Sequence, residues 1–301
     1  MALPTVALPR RTTFGARIGA YVALTKPRII ELLLITTLPT MIVAQRGLPP
    51  LWLMGATLLG GALAAGGANA INMFIDRDID KLMHRTRKRP LVTGAVTPRS
   101  ALIFAITLEV VAFVELWAWV NLLSAVLAVS ATLFYVFVYT LWLKRTSTQN
   151  IVIGGAAGAV PVLVGWAAVT DSLAWTPVVL FAIIFVWTPP HFWALAVKYK
   201  EDYQAADVPM LPAVATFKRT AREILFYSVL LVAVSLVLAA VARLGVIYLA
   251  SASVLGVVFL ALALRLWRRA TPKAAMQLFS YSITYLTLLF VLMAVDIFTH
   301  H

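Results

Sequence analysis

The sequence predicts an all-α, polytopic integral membrane protein of nine transmembrane helices. Three observations carry that prediction. Of the 301 residues 62% are hydrophobic, only 12% are charged and mean hydropathy is +0.92, whereas soluble domains carry about 25% charged residues. Nine apolar stretches approach the roughly 20 residues that a spanning helix needs. Lys and Arg then alternate between loops in the parity such a count requires.

The stretches run roughly 29–46, 51–75, 100–120, 122–143, 151–169, 174–197, 224–242, 245–264 and 277–298. The third and fourth are divided by length. Residues 100–143 hold no Pro or Gly, and one helix of that extent would be about 66 Å long, twice the ~30 Å hydrocarbon core. A turn is expected near Trp119–Asn121, with Trp117 and Trp119 at the interface.

Alternate loops, starting from the N-terminus, hold 5, 7, 2, 5 and 4 Lys/Arg, and the other set holds only Arg46 and Arg243. The N-terminus is therefore expected inside and the C-terminus outside. The net charge of +13 is explained by this orientation, so no nucleic-acid partner is expected. Residues 1–28 form a basic N-terminal segment with Arg10, Arg11, Arg17, Lys26 and Arg28. It lacks the apolar core of a cleavable signal peptide, although an Arg-rich, acid-free leader also suits an organelle transit peptide. Residues 29–298 are expected to form a single transmembrane domain. With zero Cys there is no disulfide framework and no thiolate metal site.

The densest polar stretch is Asn72–Asp80, N-M-F-I-D-R-D-I-D, at the end of the second span. Asn72, Asp76 and Asp80 stand at i, i+4 and i+8, on one helical face. Carboxylates there oppose the helix dipole and call for a cation. Oxygen donors of this kind suit Mg²⁺, which favours one or two carboxylates plus phosphate oxygens. Lys81, Arg85, Arg87, Lys88 and Arg89 follow at once. Acid with metal, then base, is a layout for holding a diphosphate.

A second polar cluster ends the sixth span. Pro189-Pro190 are expected to kink or break that helix within the membrane, leaving His191 in need of partners. Lys198 and Asp202 are four residues apart, and parity brings them out on the face of Asn72–Asp80. His191 reads either as a neutral imidazole satisfied in a polar cavity or as a contact to metal or haem iron. Lys198 reads as an interfacial, snorkelling lysine or as a phosphate contact. Arg85–Arg89 serves orientation whatever the chemistry. Gly60-Gly61, Gly66-Gly67, Gly154, Gly155 and Gly158 suit close helix packing or a wall thinned for a flat ligand. Glu109, in mid-span, is expected to hydrogen-bond inside the bundle, and Asp296 and Glu115 to need no function. Lys26-Pro27-Arg28 places Pro at a helix start, with two charges able to join a phosphate site. Asn150 is a further inner-face polar group.

These residues carry a resemblance. N-x-x-x-D-x-x-x-D within nine spans resembles the UbiA superfamily of intramembrane prenyltransferases. T-K-P-R-I at 25–29, the run 72–91, Q-N-I-V-I-G-G-A-A-G-A at 149–159 and P-H-F-W-A-L-A-V-K-Y-K-E-D-Y at 190–203 are similar to its haem-modifying branch. The resemblance implies a UbiA-like bundle and transfer of farnesyl from farnesyl diphosphate to the vinyl group of haem b, giving haem O. It implies Asn72, Asp76, Asp80, Lys198 and Asp202 as catalytic, with Mg²⁺ on Asn72, Asp76, Asp80 and Asp202. Lys26, Arg28, Arg85, Arg89 and Lys198 would take the diphosphate, and His191 the haem. Lys198 departs from the superfamily, whose second D-x-x-x-D motif begins with an acid, and makes the site asymmetric. Partners implied are the lipid bilayer and, among proteins, a second copy of the chain or haem A synthase. The setting implied is the plasma (inner) membrane with the site on the cytoplasmic side, or the mitochondrial inner membrane in a eukaryote. The nearest rival, a prenyltransferase acting on an aromatic acid or quinone precursor, predicts an acid at position 198. A transporter would show a second broken helix matching the Pro-Pro run. A haem-binding electron carrier would pair His residues, whereas only His191 lies at membrane depth.

Overall fold

Inside hydrocarbon every backbone N–H and C=O must be satisfied within its own segment, so each long apolar run becomes a helix. The computed structural model describes residues 13–299; residues 1–12, with Arg10 and Arg11 of the basic N-terminal segment, lie outside the described residues. In chain order the helices are α1 (Phe14–Thr25), α2 (Pro27–Gln45), α3 (Leu51–Ile75), α4 (Arg77–Leu82), α5 (Pro90–Thr93), α6 (Pro98–Trp119) and α7 (Leu122–Leu133). A π-helical stretch, Phe134–Leu143, continues α7 into α8 (Lys144–Thr146). Then come α9 (Asn150–Thr170), α10 (Trp175–Lys198), α11 (Lys200–Ala205), α12 (Leu211–Val214), α13 (Phe217–Val241), α14 (Val246–Arg269) and α15 (Pro272–Thr299). No strand occurs among the described residues.

Eight of these segments are long and apolar enough to cross a membrane among the described residues, with Leu122–Thr146 as one of them. They match eight of the nine predicted spans. The first predicted span coincides with α2, in which Leu34–Gln45 is an apolar stretch among the described residues. Pro27 takes the first position of α2, where its missing N–H costs nothing.

Local chemistry sets the boundaries. Thr97 caps α6 by accepting from Ser100 N at 3.2 Å, and Asn121 caps α7 by accepting from Ser124 N at 2.8 Å. The turn between them falls where length demanded it, and the Asn121 amide also donates to the Ala167 carbonyl at 2.7 Å. Trp117 and Trp119 are exposed beside it. Asp296, expected to need no function, proves structural. Its carboxylate accepts from Gly245 N at 2.5 Å and Tyr248 N at 3.1 Å, closing the N-terminus of α14.

Of the kink or break predicted at Pro189-Pro190, the break does not occur, since α10 runs through both prolines. The prolines remove two N–H donors, yet neighbouring helices hold the segment in place. The Trp187 indole donates to the Ser282 carbonyl on α15 at 2.8 Å. Thr188 turns its hydroxyl back to the Ile184 carbonyl at 2.8 Å.

The helices follow one another around a bundle in which α3 packs on α6, α7 on α9, and α10 on α9, α13 and α15; α15 also meets α2, joining the two ends of the chain. The main core is built from α9, α10, α13, α14 and α15. Close approach of α3 and α6 needs Gly67: a Cβ there would stand 2.6 Å from Glu109 Oε1 and 3.0 Å from the Ala105 carbonyl. Glu109 accepts from the Thr132 hydroxyl at 3.2 Å, as expected of an acid turned into the bundle. Gly67→Ala is expected to destabilise the protein by about 1–3 kcal/mol, the usual cost of overpacking. Gly61→Ala, which would meet nothing within 4 Å, should leave the melting temperature in detergent unchanged. Equal melting of the two variants would show that α3 and α6 tolerate separation.

Candidate functional site

Helix α3 ends at Ile75, and Asp76 (φ −82°, ψ 3°) joins it to α4. The backbone bonds Asp76 N to Asn72 O (2.9 Å) and Asp80 N to Asp76 O (2.8 Å) carry helical spacing across the joint. Asn72, Asp76 and Asp80 therefore stay on one face, and all three are buried. Asp78, out of step with them, is exposed.

Each buried acid faces a cation. The Asn72 amide donates to Asp76 Oδ2 at 2.7 Å and to the Thr140 hydroxyl at 3.2 Å, while its Oδ1 accepts from Lys26 at 2.8 Å. Lys144 pairs with Asp76 Oδ2. Asp76 Oδ1 is buried and accepts no hydrogen bond among the described residues, with Arg145 3.8 Å away. One nitrogen of Arg89 bonds both oxygens of Asp80, at 2.8 and 2.7 Å. Arg145 makes a two-pronged contact with Asp78, both bonds 2.8 Å, which holds that carboxyl well below its usual range.

Lys26 stands between α1 and α2 with a left-handed backbone, φ 53°, unusual for a residue with a Cβ. Burial, then the nearby Arg89 and Lys144, press its ammonium well below the usual lysine range, and Asp76 and Asp80 only partly offset this. A dianionic or trianionic group among these cations would restore the charge.

The second predicted wall differs. Asp202 accepts from two backbone amides, His84 N at 3.0 Å and Arg85 N at 2.9 Å, latching the 83–89 turn to α11. Arg85 and Lys198 both lie near the Tyr199 ring, at 5.4 and 5.7 Å from its centre, and both are exposed. Arg28 is exposed as well. Thus Lys26, Asn72, Asp76, Asp80 and Arg89 come together, Asp202 and Arg85 support the same turn, and Lys198 and Arg28 pair with none of these acids among the described residues. Tyr203, on α11, is buried, which raises its phenol.

His191 is apart from the acids, 7% exposed. Its ring stacks on Trp187 (4.2 Å, 19°) and meets Phe279 (4.8 Å) and the edge of Phe192 (5.1 Å). Nδ1 lies 2.7 Å from the Ser282 hydroxyl.

Residues 33–292 match the UbiA prenyltransferase family. The chain belongs to that family. Among similar UbiA-family proteins, the protoheme IX farnesyltransferase of Frankia alni is 56% identical, over 93% of this chain and 98% of its own. Those of Streptomyces avermitilis and Renibacterium salmoninarum are 55% and 52% identical, over 95% and 96% of this chain and 95% and 93% of theirs. Solved structures share the UbiA fold at low identity. One, from work on digeranylgeranylglyceryl phosphate synthase in membranes, has a TM-score of 0.75 at 18% identity, covering 93% of this chain and 98% of that one. A UbiA homologue from Archaeoglobus fulgidus bound to GPP and Mg²⁺ has a TM-score of 0.63 at 16% identity, covering 91% and 99%.

Three groups at this UbiA-family site were not singled out as site residues from the sequence: Thr140, Lys144 and Arg145. Lys144-Arg145 was visible only as topogenic charge, in the loop set that parity assigns to the face of Asn72–Asp80. Thr140 donates to the Tyr135 carbonyl five residues back, at 2.8 Å, and so reaches Asn72 from a π-helical register that no α-periodic reading predicts. Tyr135 and Tyr139 stack at 5.3 Å and 17° on the same stretch, and Gly154 gives Tyr139 its room, since a Cβ there would run into the ring.

Proposed function

We propose that this chain transfers the farnesyl group of farnesyl diphosphate to a vinyl group of haem b, giving haem O. The observation that carries the reading is the 52–56% identity, over nearly the whole chain, to proteins named protoheme IX farnesyltransferase. The assembled wall of acids and cations supports it independently, because it suits a diphosphate.

In the reaction the C1–O bond of farnesyl diphosphate breaks and both electrons leave with diphosphate. The vinyl π electrons then attack the allylic cation, and water adds to the resulting cation and loses a proton, leaving a hydroxyl. Lys144 and Arg89, which here pair with Asp76 and Asp80, and Lys26, which donates to Asn72 Oδ1, are placed to turn toward phosphate oxygens as the leaving group gains charge. Tyr135, with Tyr139 stacked on it, lies on the stretch that carries Thr140 and offers an aromatic face to a developing carbocation.

The residues present fit Mg²⁺. Asp76 Oδ1 is a buried carboxylate oxygen with no hydrogen bond among the described residues. Asp80 and the Asn72 oxygen would join it as hard-oxygen donors once Arg89 and Lys26, which now occupy them, turn to phosphate. Asp76, Asp80 and Asn72 would hold the ion, which when bound neutralises phosphate oxygens. Asp202, whose carboxylate holds the 83–89 turn, is read as supporting Arg85 and Arg89, and as a ligand only if that latch opens. Lys198 and Arg28, both exposed, are read as outer contacts that meet the diphosphate on entry.

Residues 29–298 are read as a single transmembrane domain in the plasma membrane, with α2 as its ninth span. The Lys/Arg parity supports an N-terminus and site on the cytoplasmic side and a C-terminus opposite. The farnesyl chain makes the product more apolar than haem b and favours its retention in the bilayer, so haem A synthase and a second copy of this chain are the associations to test by crosslinking in membranes. The deciding assay gives purified protein haem b, farnesyl diphosphate and Mg²⁺ and reads product mass. Hydroxyethylfarnesyl haem is expected, and its loss on chelation; no haem adduct, or turnover unaffected by chelator, would overturn the substrate and the metal respectively.

A further inference from the structure

Ser282 on α15 touches the His191 site twice. Its carbonyl accepts from the Trp187 indole at 2.8 Å, and its hydroxyl lies 2.7 Å from His191 Nδ1. The hydroxyl has one hydrogen, and that hydrogen is committed. Ser282 Oγ stands 2.6 Å from the Phe279 carbonyl, and a carbonyl can only accept. Toward His191 the hydroxyl therefore presents a lone pair, so Nδ1 must carry the hydrogen. The imidazole is neutral, since it is packed among Trp187, Phe192 and Phe279 and no acid forms an ion pair with it among the described residues; an imidazolium there would be a buried, unpaired charge. With Nδ1 protonated, the lone pair is on Nε2.

We infer that Ser282 is a positioning residue that fixes His191 as the Nδ1–H tautomer, presenting Nε2 as a ligand for haem iron. Resting on the proposed use of haem b as acceptor, it explains how a single histidine serves a substrate whose iron already has four ring nitrogens. The Trp187 and Phe279 contacts set the imidazole plane, and Ser282 sets which nitrogen is free. A metal-bound histidine commonly donates its other N–H to an oxygen acceptor, and losing that acceptor costs 10–100-fold in affinity.

Two measurements on the full-length protein in detergent test this. In the apo protein labelled with ¹⁵N-histidine, the signal removed by His191→Ala should show a protonated Nδ1 and a bare Nε2. Ser282→Ala should move it toward the other tautomer, and Ser282→Thr should not. With haem b added, wild type and Ser282→Thr should give a histidine-ligated absorption spectrum. His191→Ala should lose that spectrum and regain it with free imidazole. Ser282→Ala should weaken haem binding by about 10–100-fold, with binding of a farnesyl thiodiphosphate analogue unchanged. An unaltered His191 tautomer and haem affinity in Ser282→Ala would overturn the role of Ser282. A haem spectrum insensitive to His191→Ala would overturn ligation, and a wild type that takes up no haem would overturn the acceptor itself while the nitrogen signals still report on Ser282.

Discussion

Asp76→Ala is expected to abolish farnesyl transfer, lowering kcat/KM by at least about 10³-fold, since a metal ion at a developing charge is worth several kcal/mol and each 1.36 kcal/mol is tenfold. Asp76 is wholly buried, receives Asn72 and Lys144 on one oxygen and leaves the other without a hydrogen bond. It is the acid best prepared to receive a cation. Its removal also strands Lys144, whose side chain is only 13% exposed; breaking a buried pair from one side costs about 3–5 kcal/mol. Stability and chemistry are therefore separated with Asp76→Ala/Lys144→Ala, which removes both charges. That double variant should regain much of the lost melting temperature and none of the turnover. Substantial haem O formation by Asp76→Asn, which keeps the shape and discards the charge, would sink the metal assignment.

Lys144→Met should lower kcat by about 10²–10³-fold, the usual effect of deleting one donor aimed at developing charge. Lys144→Arg should recover part of it. The neighbouring Arg145 is the control. Its main partner is Asp78, in a pair whose side chains are 34% and 60% exposed, and such pairs contribute about 0–1 kcal/mol. Arg145→Ala should thus change turnover little beside Lys144→Met. Single-turnover rates with saturating farnesyl diphosphate would decide between them; equal losses would mean that the wall acts by summed charge and that no one lysine is aimed.

Much of this was readable in the residues. The turn at Trp119–Asn121 followed from helix length alone, and the alignment of Asn72, Asp76 and Asp80 from a spacing of four. Lys26 was legible because Pro27 marks a helix start. What escaped has physical reasons. Pro189-Pro190 reads locally as a break, but Trp187 and Ser282 hold the helix from a partner 95 residues away in sequence. Asp202 looks like a ligand by spacing, yet whether a carboxylate meets a metal or two backbone amides depends on the fold of a distant turn. Lys198 shares a membrane face with the acids without reaching them, because parity assigns a side of the bilayer and not a distance.

The π-helical stretch Phe134–Leu143 also decides where the residues after it point. A π turn accommodates a surplus residue, and each surplus residue delays everything after it by about 100° of rotation. Lys144 is aimed at Asp76 by that accumulated phase, and not by its own rotamer alone. Excising one residue from this stretch removes the surplus together with the delay, so the span should close to regular α-helix with Lys144 still facing Asp76 and with Thr140 deprived of its bond to the Tyr135 carbonyl five residues back. In that sense the surplus residue serves Thr140, and a deletion with no polar atom in it would cost Asn72 the hydroxyl it donates to.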